Sequence, residues 1–334
     1  MAKPKVSYWT ERNVFITGVT GFVGSWLAEK LIELNANVYG LVRRRSVPNV
    51  QNIKHIQDKI KLIPGDLLDH SSIQKALEEN GINTVFHLAA QSYVPQSFNA
   101  PVDTYMSNII GTANVLEAIR MADKTDITGM TFAGSSEEYG LVKENETPIN
   151  ESNPLRPLSP YGVSKVACDM MCYAHNKAYG IPIVRTRAFN HTGPRRGEMF
   201  ITSVVTKQVV EAKKTGAREL IIGNPSPIRD FSDVRDVVDG YMLAVERGKR
   251  GNVYNFASGV GLTIRQLCEK AIKVGGVDME IKIDKARYRP ADVMVLIGNA
   301  TKAKTELGWE PTIPFEKTLK DMIAYWIERT SFKY

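Results

Sequence analysis

Apolar residues in this chain come in two arrangements: short continuous runs, and longer stretches in which they recur every three or four positions. Asn13–Thr17, Asn37–Val42, Ile60–Ile63, Thr84–Leu88, Met130–Ala133 and Ile181–Arg187 are of the first kind, rich in Val, Ile and Phe. Such runs read as strands buried on both faces. Between them lie Ser25–Leu34, Ser71–Gly81, Asn108–Ala122 and the stretch opened by Ser159 and Pro160. These read as helices; Leu27, Leu31 and Leu34 form one apolar stripe, and Ser71 stands as an N-cap. Strand–helix alternation predicts an α/β fold with a parallel sheet, whose ligands bind beyond the carboxyl ends of the strands.

After Arg187 the alternation decays. Loops rich in Pro, Gly and Arg (Asn190–Gly197, Gly223–Asp230, Tyr288–Asp292) separate helical stretches at Ile201–Lys214, Val234–Glu246, Ile264–Val274, Thr301–Leu307 and Phe315–Ile327. Residues 1–188, with about 229–256, are expected to form a nucleotide-binding domain. Residues 189–228 and 257–330 are expected to form a smaller α/β substrate domain.

The turn after the first strand is Gly18–Val19–Thr20–Gly21–Phe22–Val23–Gly24. Strand, glycine turn and helix together make a dinucleotide-phosphate cradle, so the sheet is expected to be of the Rossmann type, doubly wound. Gly18 permits the tight turn, Gly21 the approach of a pyrophosphate, and Gly24 close helix–strand packing. An acidic residue at the end of the second strand would favour NAD. Arg43–Arg44–Arg45 stands there instead, which favours the 2′-phosphate of NADP, with NAD as the alternative. Asp66 and Leu67 follow the third strand, where Asp66 could meet an adenine. Leu88, Ala89, Ala90 and Ser92 end the fourth with small side chains that leave room for a cofactor.

Tyr161 and Lys165 are four residues apart, on one face of a helix that Ser159 caps and Pro160 opens. An ammonium and a helix N-terminus both favour phenolate, so the Tyr161 pKa is expected to be depressed, as a base for alcohol oxidation requires. Gly134–Gly140 follows the fifth strand and carries Ser135, Ser136 and Glu137. Glu137, at the strand end, is a candidate acid–base carboxylate; Glu138 reads as an exposed loop carboxylate.

Of the 334 residues, 43% are hydrophobic and 24% charged, an ordinary globular balance. No apolar run approaches the roughly 18 residues of a membrane span, and Met1–Glu11 lacks a signal-peptide core, so a cytoplasmic protein is expected. Cys168, Cys172 and Cys268 make neither a disulfide framework nor a metal pattern and read as small buried hydrophobes. The net charge of +7 is scattered, without a basic tail, so nucleic-acid binding is unsupported, and small phosphorylated anions explain the excess at least as well.

The motifs Gly18-x-x-Gly21-x-x-Gly24, His87–Ala90, Ser135–Glu137, Tyr161-x-x-x-Lys165 and Arg229–Phe231 span most of the chain. Together they resemble an extended short-chain dehydrogenase/reductase acting on nucleotide sugars. Ala89–Ser92, Phe189–His191, Arg195–Phe200 and Arg289–Val293 are similar to the GDP-mannose 4,6-dehydratase family. Gly134–Gly140 and Arg229–Asp236 are similar to GDP-4-keto-6-deoxymannose reductases.

The dehydratase resemblance implies that Tyr161 takes the proton of the sugar C4 hydroxyl while bound NADP takes the hydride. Lys165 would hold the nicotinamide ribose, Ser135 would bond O4, and Glu137 would remove the C5 proton before water leaves C6. It also implies cofactor contacts at Thr20, Phe22, Val23, His191 and Arg196. Substrate contacts are implied at Ser92, Ser136, Asn190, Asn224, Arg229, Arg289 and Asp292, and a homodimer or homotetramer is expected. Two departures stand out. The family carries Thr where this chain has Ser135, and Ile201–Val204 lacks a basic residue often found there. A 4-keto sugar-nucleotide reductase, an epimerase and a non-catalytic NADP sensor are the alternatives.

Overall fold

The computed structural model describes residues 1–44, 49–123, 125–288 and 291–331. Six strands follow the expected order: β1 (Asn13–Thr17), β2 (Asn37–Arg43), β3 (Ile60–Gly65), β4 (Thr84–His87), β5 (Gly129–Ser135) and β6 (Ile183–Ala188). With a seventh strand, Val253–Phe256, they form one sheet, parallel throughout. Its order is Val253–Phe256, β6, β5, β4, β1, β2, β3. The strand order reverses between β1 and β4, which opens a crevice at their carboxyl ends.

β1, β4, β5 and β6 are buried on both faces because helices cover both. Leu27 and Leu31 of Phe22–Glu33 pack with Val14 and Ile16 on one side; Leu116 and Ile119 of Gly111–Met121 pack with Phe15 and Val85 on the other. Cys168 and Cys172 are buried in this second core as free thiols, and Cys268 is buried elsewhere.

Local boundaries differ from the sequence expectation where capping decides them. The first long helix starts at Phe22, because Gly21 already ends the turn. The helix expected from Ser71 runs His70–Glu79, capped by Asp69, whose side chain accepts from the Ser72 amide. Short helical turns at Val94–Asn99 and Pro101–Tyr105, unmarked by periodicity, lead into Gly111–Met121.

Beyond β6 the chain builds a second layer. Ile228–Asp233 pairs with Asn190–Thr192, Gly261–Thr263 and Val295–Leu296 in a small mixed sheet. Glu219–Ile222 pairs with Glu280–Ile283. Helices Ile201–Thr215, Ile264–Gly275 and Phe315–Ser331 pack around them through Val205, Leu267 and Leu319. The segment 229–256, expected with the nucleotide-binding half, is thus shared. Its first strand lies in the small sheet, while helix Val234–Arg247 and strand Val253–Phe256 pack with the large one. Asp230 ties this junction, accepting from the Ser258, Gly259 and Gly298 amides at 2.7, 2.8 and 3.1 Å. Among the described residues no helix is long and apolar enough to cross a membrane.

Candidate active site

A cleft of about 940 Å³ runs along the carboxyl ends of the strands and under the small sheet. Gly18, at φ +77°, turns the chain out of β1, and a Cβ there would meet the Ala89 amide at 3.0 Å. A Cβ on Gly24 would fall 2.1 Å from the Gly18 carbonyl oxygen, so helix and strand can touch only with glycine there. No side chain caps this helix. Its first amides, at Phe22, Val23 and Gly24, lie on residues that line the cleft. A helix N-terminus with uncapped amides fits a pyrophosphate.

Leu88, Ala89, Ala90 and Ser92 also line the cleft. Their path is fixed from beneath. The Leu88 and Ala89 amides both donate to Thr17 Oγ1 at 3.1 Å, which leaves the Thr17 hydroxyl hydrogen for His87 Nδ1 at 2.8 Å. His87 Nε2 then donates to Thr112 Oγ1 at 2.9 Å. Burial, with the charge of Lys165 adding, lowers the His87 pKa to about 3, so the ring is neutral.

The expected cap holds the Tyr161 helix: the Gly162 amide donates to Ser159 Oγ at 3.0 Å, in a helix running Pro160–Tyr179. Tyr161, Lys165, Ser135, Ser136 and Glu137 all line the cleft. A Cβ on Gly162 would lie 2.7 Å from the Glu137 carbonyl oxygen, so the Tyr161 helix packs directly on the Glu137 turn. Ser135 Oγ accepts from the Glu137 amide at 3.2 Å.

The depressed Tyr161 pKa is not found. Burial pushes the phenol well above its ordinary value; the Ser135 hydroxyl beside it pulls down, while the charges of Glu137 and Glu138 push further up. Lys165 is occupied elsewhere: its Nζ donates to the Ala133 carbonyl at 2.7 Å and sits 6.0 Å from the Tyr161 ring centre. Burial lowers the Lys165 pKa in turn. The reading of Glu138 as an exposed carboxylate is also overturned. Glu138 is fully buried, because its side chain turns back under the strand end to meet Arg187 Nε at 2.9 Å.

His191 and Arg196 meet the glycine turn from the other half. His191 stacks on Phe22 at 6.1 Å, and burial lowers its pKa to about 4. The Arg196 guanidinium lies 5.0 Å from the Phe22 ring centre and 3.6 Å from that of Phe200; burial lowers its pKa to about 10. Asn190, Asn224, Arg229 and Asp292 line the far end, where Arg229 Nη2 donates to Asp292 Oδ1 at 2.8 Å.

Thr20, Arg43, Arg44, Asp66 and Leu67 do not line the cleft. The Thr20 carbonyl accepts from Asn52, Asp66 Oδ1 accepts from the Leu68 amide, and Leu67 packs on Gly111. Arg43 is exposed at the end of β2, and Arg44 pairs with Asp69 at 3.2 Å. Arg45 and Arg289 fall outside the described residues.

Asn108 was legible only as a helix start, yet it is a hub. Its amide donates to the Gln91 carbonyl and to Ser164 Oγ, and Ser164 donates to the Tyr161 carbonyl. It sits in a π-turn, Met106–Ile110, a feature frequent near functional sites. Tyr241 lines the cleft floor and carried no sequence signal.

A glycine cradle, a Tyr-Lys helix and a Ser-Ser-Glu turn now face one cleft. Residues 15–322 match the family model for GDP-mannose 4,6 dehydratase. The chain belongs to that family. A GDP-mannose 4,6-dehydratase of Vibrio cholerae is 32% identical, over 96% of this chain and 94% of that protein. Two solved structures share the fold. RMD from Pseudomonas aeruginosa, complexed with NADPH, superposes with a TM-score of 0.80 at 30% identity, over 95% of this chain and 99% of that one. UDP-glucose 4-epimerase from Thermotoga maritima, with UDP-glucose, gives 0.86 at 29%, over 95% and 99%. The conformity of this family member extends from the glycine turn to the last long helix, since the match covers both layers of the structure.

Proposed function

We propose that this chain is a GDP-mannose 4,6-dehydratase. The observation that carries the reading is the convergence of Glu137 and Ser135 with Tyr161 on one cleft wall, in a chain of this family. The uncapped turn at Phe22–Gly24 would hold the diphosphate of a nicotinamide dinucleotide, and Lys165 its ribose. An oxidised nicotinamide, when bound, would supply the redox chemistry, taking up the C4 hydride and returning it to C6 after water has left while a proton is restored to C5, and a positive charge that opposes the upward push on Tyr161. Arg43, the last residue of β2, and Arg44 after it support NADP over NAD.

Tyr161 takes the proton of the C4 hydroxyl, while Ser135 bonds O4. The resulting ketone acidifies C5–H, and Glu137 removes that proton. The same carboxyl, now an acid, gives it to the departing C6 hydroxyl; one carboxylate serves both steps because they occur in sequence. Asn190, Asn224, Arg229 and Asp292, which line the far end, would bind the nucleotide diphosphate and ribose, a role Arg289 would share. An apolar stripe of Met106, Ile110, Val163 and Met170, each more than 40% exposed, supports self-association as a homodimer or homotetramer.

The test is a single turnover with GDP-mannose. Glu137→Gln should still oxidise C4 but stall, so that reduced cofactor absorbance builds up and C5–H does not exchange in deuterated water. Undiminished water loss would remove Glu137 from the role. A 4-keto sugar reductase, the second reading favoured by Ser135 in the Thr position, would ignore GDP-mannose, consume NADPH on the 4-keto-6-deoxy sugar and tolerate Glu137→Gln.

A further inference from the structure

Behind the wall that carries Ser135, Glu137 and Tyr161 lies a buried cluster of charge. Glu138 and Asp169 are fully buried, and Arg187 and Arg185 nearly so. The two acids and two bases cancel. Arg187 is the centre: its Nε donates to Glu138 Oε2 at 2.9 Å and to Asp169 Oδ2 at 3.0 Å, and its Nη1 donates to the Tyr139 hydroxyl at 3.2 Å. Tyr139 donates onward to Asn255 at 2.7 Å, and Asp169 is held from its other oxygen by Arg185.

Glu138, Asp169 and Arg187 come from three different elements around the site. Glu138 follows Glu137 in the turn, and its Oε1 accepts from the Ser135 amide at 2.7 Å. Asp169 lies on the Tyr161 helix, where Tyr161, Lys165 and Asp169 are successive i+4 positions on one face. Arg187 lies on β6, three residues before Asn190. The backbone leaves room for this arrangement: a Cβ on Gly134 would fall 2.5 Å from Glu138 Oε1. Buried ion pairs are poor stabilisers compared with apolar packing of equal volume, so stability alone does not account for four charges here.

We propose that Glu138, Asp169 and Arg187 are positioning residues, a clamp that fixes the turn carrying the Glu137 carboxyl. The clamp rests on the reading of Glu137 as the C5 base. Burial and the Asp169 charge raise the Glu138 pKa while Arg187 opposes them, which makes the clamp sensitive to the loss of any one member.

The test uses Glu138→Gln, which keeps shape, and Arg187→Lys, which keeps charge but cannot fork between two carboxylates. Each is measured in single turnover with GDP-mannose. The two readouts are reduced-cofactor absorbance for the Tyr161 step and C5 deuterium exchange for the Glu137 step. A misplacement of about 1 Å can cost about 10²-fold, so C5 exchange should fall about 10-fold or more, while C4 oxidation stays within about 3-fold. Both steps falling in parallel with the thermal midpoint, or neither falling, would overturn the clamp. A wild type inert toward GDP-mannose would instead refute the Glu137 reading. Amide hydrogen exchange then decides the clamp alone: the Ser135 and Glu137 amides should exchange about 10-fold faster in Glu138→Gln, with β1 and β2 unchanged. Unchanged exchange at Ser135 refutes it.

Discussion

Tyr161 carries the clearest prediction at the level of single residues. Its phenol is buried in the cleft wall, so Tyr161→Phe removes the proposed proton acceptor and leaves the ring packing intact. Turnover should fall by roughly 10²-fold or more, with an unchanged thermal midpoint. A near wild-type rate would show that another group takes the C4 proton. Arg43 makes a second case. It is exposed at the end of β2, and a charge-assisted contact with a 2′-phosphate is worth about 1.5–3 kcal/mol. NADP should therefore bind roughly 10- to 100-fold more tightly than NAD, and Arg43→Ala should erase much of that difference. Calorimetry giving equal affinities for wild type would end the argument. Arg44 is the weaker of the two candidates, because Asp69 already holds it.

Among the elements, helix Pro160–Tyr179 is the one whose start matters most. The Ser159 hydroxyl takes up the Gly162 amide, and Gly162 in turn rests on the Glu137 carbonyl. Losing an N-cap costs about 1 kcal/mol. Ser159→Ala should lower unfolding free energy by about that amount and also slow turnover, since Tyr161 lies within the first turn. Urea unfolding and steady-state rates check the two halves separately; a stability loss without any rate change would show that packing on Glu137 alone positions the helix.

For the molecule as a whole, pH exposes how firmly β1, β4 and Gly111–Met121 are joined through His87. Its folded pKa is about 3, against 6.5 unfolded, because the ring is buried between Thr17 and Thr112. Below pH 6.5 the unfolded chain binds a proton that the folded chain refuses. Stability contributed by a neutral His87 is therefore present above 6.5 and lost as pH falls, by about 1.4 kcal/mol per unit. The difference in unfolding free energy between wild type and His87→Gln should shrink by that slope between pH 6 and 5. A difference independent of pH would mean that the ring is already charged or exposed.

What the chain determined by itself is local chemistry. Asn13–Gly24 specified strand, turn and helix, because glycines at these spacings permit only a narrow set of backbone paths. Ser159, Pro160, Tyr161 and Lys165 likewise fixed a capped helix with both side chains on one face. The strands were legible as apolar runs, most plainly β1 and β4, because both faces of these central strands are covered. Burial and charge balance were decided only in three dimensions. Glu138 looks like its neighbour Glu137 in sequence, yet one lines the cleft and the other is buried against Arg187, a partner 49 positions away. Tyr161 was expected to be acidic from its neighbours along the helix. The sheet and cleft bury it instead, and desolvation outweighs a lysine that has turned to the Ala133 carbonyl. The division of 229–256 between two sheets was invisible for the same reason: strand partners are chosen by contacts far apart in sequence, and no local pattern records them.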